Sequence, residues 1–241
     1  MFCTSCYAAL VEILKVFVAD GDGALYDTVE QATTALHTAA QELNETTSRD
    51  TIIKMFSQGL PLHDIFASVA PNHSPKLTEE LFYRFDAEIG YDEVVLFPGM
   101  KTVLAHLHEE LDLKIGILTN RARPSTLTIL EHVGLLNSGF GITNETVVTP
   151  SEIVPAKPNP AGLASLVLRL DGSADTTVMY GDTGGDIKTG ADNGSETIGF
   201  TGGFGSRESL EAAEATVVVD NVMQIPEALH AIEAILRSRT S

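Results

Sequence analysis

The 241-residue sequence predicts an α/β fold: a parallel sheet whose chain is interrupted by an all-helical insert. Short apolar runs ending in polar or glycine-bearing turns recur along the chain, and helical patterns alternate with them from Lys114 to the C-terminus. The stretch from Thr28 to Phe97 differs, with helical stripes and no convincing strand. The length suits one large domain or one domain carrying an insert, and 44% hydrophobic residues can fill its core.

Residues 1–14 read as an N-terminal extension. The apolar run to Val18 lacks the basic leading segment of a signal peptide, and Glu12 and Lys15 interrupt it. No stretch approaches the roughly 18 apolar residues of a membrane span, so a cytoplasmic location is expected. Cys3 and Cys6 precede no strand-linked redox motif, and no further cysteine exists to complete a zinc site. They read as an incidental pair.

The first strand is Val16 to Ala19. In the insert, Val29, Ala32, Leu36, Ala39 and Leu43 make one helical stripe, and Leu62, Ile65, Phe66 and Val69 make another. Leu77, Leu81, Phe85 and Ile89 make a third, with a short helix expected over Thr51 to Phe56. Gln58-Gly59-Leu60-Pro61 breaks the pattern and is a candidate substrate-facing loop, with Arg49 or Lys54 available to meet a second anionic group. An insert after the first strand sits beside that strand's carboxyl end, where open α/β sheets bind ligands.

After Pro98-Gly99, Met100, Val103, Leu104, Leu107 and Leu111 follow helical spacing; His106 and His108, two apart on it, read as surface residues. Further strands are expected at Lys114 to Leu118, Thr146 to Val148, Thr177 to Tyr180, Thr197 to Phe200 and Thr216 to Val219. A helix through Leu163, Leu166, Val167 and Leu170 has Asn159 as N-cap and Pro160 at its first position. The last helix runs from Pro226, with Leu229, Ile232 and Leu236 on one face.

A formal net charge of -18 argues against nucleic acid or an anionic membrane surface as main partner. A phosphorylated small molecule is repelled only at long range, since salt screens the field over about 8–10 Å. Any phosphate site must then rely on local cations and oriented amides.

Four motifs at strand ends and loops supply such chemistry. Asp20-Gly21-Asp22-Gly23 follows the first strand and offers two carboxylates, one to attack phosphorus and one to serve as acid and base. Thr119-Asn120 offers a hydroxyl and the amides after it for phosphoryl oxygens. Lys157, between prolines before a helix, offers an ammonium. Gly181-Asp182-Thr183-Gly184-Gly185-Asp186 adds two carboxylates that call for a hard cation, Mg²⁺ in the presence of an anionic substrate. Taken singly, each also reads as an ordinary turn, with Asp186 as a helix cap.

Their order resembles that of the haloacid dehalogenase superfamily, over about Lys15 to Leu229. The resemblance implies a Rossmann-like parallel sheet core with helices on both faces, at residues 15–27 and 98–241, and a helical C1-type cap at 28–97. It implies Asp20 as nucleophile, Asp22 as acid/base, Thr119 and Lys157 as phosphate-binding residues, and Asp182 and Asp186 as metal-site acids. Mg²⁺ would be held by the Asp20 carboxylate, the Asp22 backbone carbonyl and Asp182. The closing Gly199-Phe200-Thr201-Gly202-Gly203-Phe204-Gly205 is most similar to the phosphoglycolate phosphatase branch, and the implied partner is a small phosphorylated metabolite.

Two residues depart from the family pattern. Gly21 stands where a hydrophobic residue is usual and is expected to loosen the backbone beside the nucleophile; Ala24 replaces a threonine. Ala32 stands about where phosphomutases of this superfamily carry a histidine, which favours hydrolysis. Pyrophosphate and nucleoside monophosphates remain alternative substrates, and a non-catalytic binding protein is the alternative of another class.

Overall fold

The computed structural model describes residues 11–151 and 154–240. The Cys3/Cys6 pair lies outside them. Six parallel strands form the main sheet in the order β5-β4-β1-β6-β7-β8: Val16–Ala19 (β1), Lys114–Leu118 (β4), Val147–Val148 (β5), Thr177–Gly181 (β6), Glu196–Phe200 (β7) and Val217–Val219 (β8). β1 lies between β4 and β6, with Phe17 in register with Ile115 on one side and Val178 on the other.

The apolar runs are continuous because both faces of this sheet are covered. Val16, Val18, Leu118 and Met179 face the helix Ala161–Arg169 through Leu163, Leu166 and Val167. Phe17, Ala19, Ile115, Ile117, Val178 and Tyr180 face the other way, into a core with Met100, Val103 and Leu104, Ile129 and Leu130, and Leu229 and Ile232. Those last residues belong to the helices Met100–Ala105, Arg123–His132 and Ile225–Thr240. The final helix also fixes the approach to β1: Glu233, buried, accepts from the backbone N–H groups of Glu12 (2.9 Å), Ile13 (2.8 Å) and Leu14 (3.2 Å).

The insert is four helices, Val29–Glu42 (α1), Arg49–Ser57 (α2), Leu62–Val69 (α3) and Pro75–Ile89 (α4), around a core of their own that includes Ala35, Leu36, Ile52, Ile65, Phe66 and Phe82. Ser48 and Ser74 cap α2 and α4 by accepting from Thr51 and Leu77 backbone N–H groups. Several features differ from expectation. Val95–Leu96 (β3) is a strand, paired antiparallel with Tyr26–Asp27 (β2) where the chain leaves and rejoins the core. Two residues are too few to show a period in the sequence.

The stripe from Met100 to Leu111 also breaks. The α-helix stops at Ala105 and a wider π turn, His106–Glu110, follows. In it His106 Nδ1 lies 3.1 Å from Glu110, and His108 Nδ1 lies 3.2 Å from the Leu113 carbonyl. The helix Ala161–Arg169 starts one residue later than expected, with Pro160 rather than Asn159 at the N-cap, and Asn159 Oδ1 accepts from the Ala161 N–H at 3.0 Å. Among the described residues no helix is long and apolar enough to cross a membrane.

Candidate active site

Because β4, β1 and β6 are parallel neighbours, their carboxyl ends open side by side. Asp20 follows β1, Thr119 follows β4 and Asp182 follows β6. The loop before Ala161–Arg169 brings Lys157 to the same point. Asp20, Thr119, Lys157, Asp182 and Asp186 are all buried there.

Lys157 is the hub. Its Nζ lies 2.7 Å from Asp20 Oδ1 and 2.6 Å from Asp186 Oδ1. The Asn120 side chain, expected among the phosphate ligands, is spent on the lysine's backbone: its Oδ1 accepts from Lys157 N (2.8 Å) and its Nδ2 donates to Lys157 O (3.0 Å). Asn120 therefore fixes the lysine loop. Burial alone would lower the Lys157 pKa, but Asp186 and Asp20 outweigh it and hold the ammonium charged.

The carboxylates outnumber the ammonium that serves them. Burial, reinforced by Asp186 and Asp22, pushes the Asp20 carboxyl up to about 7 despite the opposing pull of Lys157. Asp182 is raised too, by burial and then by Asp186 and Asp20. Carboxylate oxygens of Asp20, Asp182 and Asp186 lie within 4.8 Å of one another. Asp182 Oδ2 accepts from Phe204 N at 2.7 Å, whereas its buried Oδ1 has no hydrogen-bond partner. Such an oxygen is what a hard cation takes up, so this donor set fits Mg²⁺.

The acids do not have equal freedom. Asp186 is fully engaged, with Oδ1 on Lys157 and Oδ2 accepting from Thr183 N (3.0 Å) and Thr183 Oγ1 (2.7 Å). It closes a capping box at the start of the helix Gly184–Asn193, and so supports the cluster from behind. The Asp22 carboxylate turns away from the cluster. It accepts from Thr28 Oγ1 (2.8 Å), Thr119 Oγ1 (3.3 Å) and Arg121 Nε (2.9 and 3.1 Å). Of Asp22, then, only the main chain remains for a metal.

Sequence reasoning passed over Arg121 and Asp86. Arg121 Nη1 donates to Asp86 Oδ2 at 2.5 Å, so one buried guanidinium ties Asp22 of the core to Asp86 of α4. Asp86 also accepts from Gln31 Nε2 (2.9 Å) and Tyr91 OH (3.0 Å). The only sequence signal was an acidic residue inside an apolar stripe, close to Phe82 and Phe85. Arg49, by contrast, is bound to Glu30 (2.6 Å) and Thr34 (2.9 Å), and neither it nor Lys54 lines the cavity.

The loop Gln58-Gly59-Leu60 closes over the site. Gly59 adopts φ +65°, and a Cβ there would collide with the Gly185 backbone, so cap and core touch main chain to main chain. Between them lies a cavity of about 100 Å³. Its core side presents Asp20, Asp22, Thr119, Lys157 and Asp186; its cap side presents Ala32, Phe56, Leu60 and Phe82.

Gly21 is not a loosened position. A Cβ on it would collide with the Tyr26 hydroxyl, so Tyr26 fills the space a side chain at 21 would occupy. That hydroxyl is buried and makes no hydrogen bond. Gly21→Leu should therefore destabilise the fold by about 1–3 kcal/mol through overpacking. In urea denaturation the double variant Gly21→Leu/Tyr26→Val should recover most of the loss. Additive losses from the two changes would refute the shared space.

The chain is similar in sequence and fold to several known proteins. The family described as haloacid dehalogenase-like hydrolase matches residues 18–200. A phosphoglycolate phosphatase of Salmonella typhimurium is 26% identical over 154 residues, 64% of this chain and 59% of that protein, so the match spans under two thirds of that relative. A pyrophosphatase of Bacillus mycoides, PpaX, is 28% identical over 88% of this chain and 95% of its own. The crystal structure of a hydrolase from Pseudomonas syringae superposes with a TM-score of 0.78 at 20% identity, over 91% of this chain and 99% of that one, a likeness of fold.

Proposed function

The chain belongs to the haloacid dehalogenase-like hydrolases, and from that premise we propose that it is a magnesium-dependent phosphatase acting on small phosphate monoesters through an aspartyl phosphate at Asp20. The observation that carries this reading is a carboxylate held by a buried ammonium beside the unpartnered Asp182 oxygen. A nucleophile and a cation's donor set adjoin. The names of relatives, phosphoglycolate phosphatase and pyrophosphatase, support phosphate-ester or phosphoanhydride chemistry.

Asp20, Asp182 and the main chain of Asp22 would hold Mg²⁺, with Asp186 behind them. Bound there, the cation offsets the buried negative charge and polarises the phosphoryl oxygens. Lys157 and Thr119 orient those oxygens, and Asp20 attacks phosphorus in line. Asp22, once protonated and drawn off Arg121 as substrate enters, would give that proton to the leaving alkoxide and then take one from the water that cleaves the aspartyl phosphate. The cap loop at Gly59 excludes bulk water meanwhile. Ala32 lines the cavity and can carry no proton for a second transfer, which favours a hydrolase over a phosphomutase. Domain limits of 15–27 and 98–241 for the core and 28–97 for the cap fit this division of labour.

Two outcomes test the scheme. Phosphate release should require Mg²⁺ and fall at least about 10³-fold in Asp20→Asn, with the variant's circular dichroism unchanged; near-normal turnover would overturn it. Since Asp20 titrates near 7 without the cation, protons compete with Mg²⁺ below that pH, when the carboxylate is protonated. The apparent affinity should be weaker at pH 6 than at pH 8. Thermal-shift titrations at pH 6 and 8 that give one Mg²⁺ midpoint would contradict this ordering.

A further inference from the structure

The cavity has two unlike halves, and their difference bears on the leaving group; the inference rests on the phosphatase reading above. Besides the charged groups, the cavity lining is mostly Phe56, Leu60, Leu62, Phe82, Tyr83 and Phe204, with Thr183, Gly59 and Gly185 between cap and core. Phe56 and Phe204 pack ring to ring at 4.8 Å, so cap and core share this apolar wall. No lysine or arginine of the cap lines it. Arg49 binds Glu30 and Thr34, Arg84 lies near Glu42 and Glu88, and none of Arg49, Arg84, Lys54 or Lys76 lines the cavity.

The two cations that do line it are each held between two carboxylates. Lys157 sits between Asp20 and Asp186, and Arg121 between Asp22 and Asp86. A phosphoryl group seated at Asp20 meets Lys157. A second negative charge on the same substrate would face rings and aliphatic chains, with no unshared cation to offset its desolvation. We infer that the preferred substrates are phosphate monoesters of compact, uncharged alcohols with an apolar or aromatic body. Tyr83 offers this wall one phenol, which burial pushes up to about 12 and so keeps as a neutral hydrogen-bonding group.

The test compares benzyl phosphate with 2-phosphoglycolate and pyrophosphate, because benzyl and glycolate alcohols are similar leaving groups. With Mg²⁺, kcat/KM for benzyl phosphate should exceed that for either anionic substrate by at least about tenfold. In parallel, calorimetry on Mg²⁺-loaded Asp20→Asn should give the same order of affinity without turnover. Leu60→Arg, at an exposed position on the cavity's edge, should raise relative use of 2-phosphoglycolate about tenfold. A wild-type preference for either anionic compound in rate or binding would overturn the inference, as would an unchanged ratio in Leu60→Arg. Selective binding of benzyl phosphate with no hydrolysis of any compound would instead overturn the phosphatase reading and leave the pocket assignment standing.

Discussion

Three buried carboxylates gathered around one ammonium are the constraint on which the rest of the structure depends. Asp20 and Asp186 share Lys157, and Asp182 is left with an unpartnered oxygen beside them. Burying that much like charge is strongly unfavourable unless something of opposite sign joins it. The surrounding construction follows from holding such a cluster together. Three adjacent parallel strands present their carboxyl ends at one place, Asn120 fixes the lysine's backbone, and Thr183 fixes Asp186. Glycines of the first motif and of the closing 199–205 stretch make the room: a Cβ on Gly23 or Gly203 would strike the Asp182 carboxylate.

A second buried charge network joins cap to core. Arg121 extends from the end of β4, grips Asp22 through Nε and reaches Asp86 on α4 through Nη1. Asp86 is in turn anchored by Gln31 on α1 and by Tyr91 near the cap's return to the core. The orientation of the Asp22 carboxylate and the seating of the cap are thus parts of one hydrogen-bonded system. Arg121 acts as a positioning residue, while the short β2–β3 ribbon ties the two crossings between the layers.

Much of this was legible in the sequence because the signals were local. Each of β1, β4 and β6 is an apolar run ending in its own motif, so Asp20, Thr119 and Asp182 announce themselves by strand end alone. The helices of the cap showed in their stripes for the same reason. What escaped was set by distance along the chain or by shape. Arg121 and Asp86 are 35 residues apart and meet only in the folded protein. The two-residue strands are shorter than any period. Nothing local reveals that the Asn120 side chain is occupied 37 residues away. Gly21 looked loose because the residue that fills its space, Tyr26, acts across a turn. Arg49 shows the converse, a cation placed well in sequence but already paired with Glu30 on the cap surface.

If the Asp20/Asp182/Asp186 cluster serves a divalent cation, as proposed, Mg²⁺ should bind there. Calorimetric titration of Mg²⁺ into the wild-type protein and into Asp182→Ala tests it most directly. The account predicts one bound Mg²⁺ in the wild type and an affinity at least about tenfold weaker in the variant. No binding to the folded wild-type protein, or equal affinity in both, would contradict it.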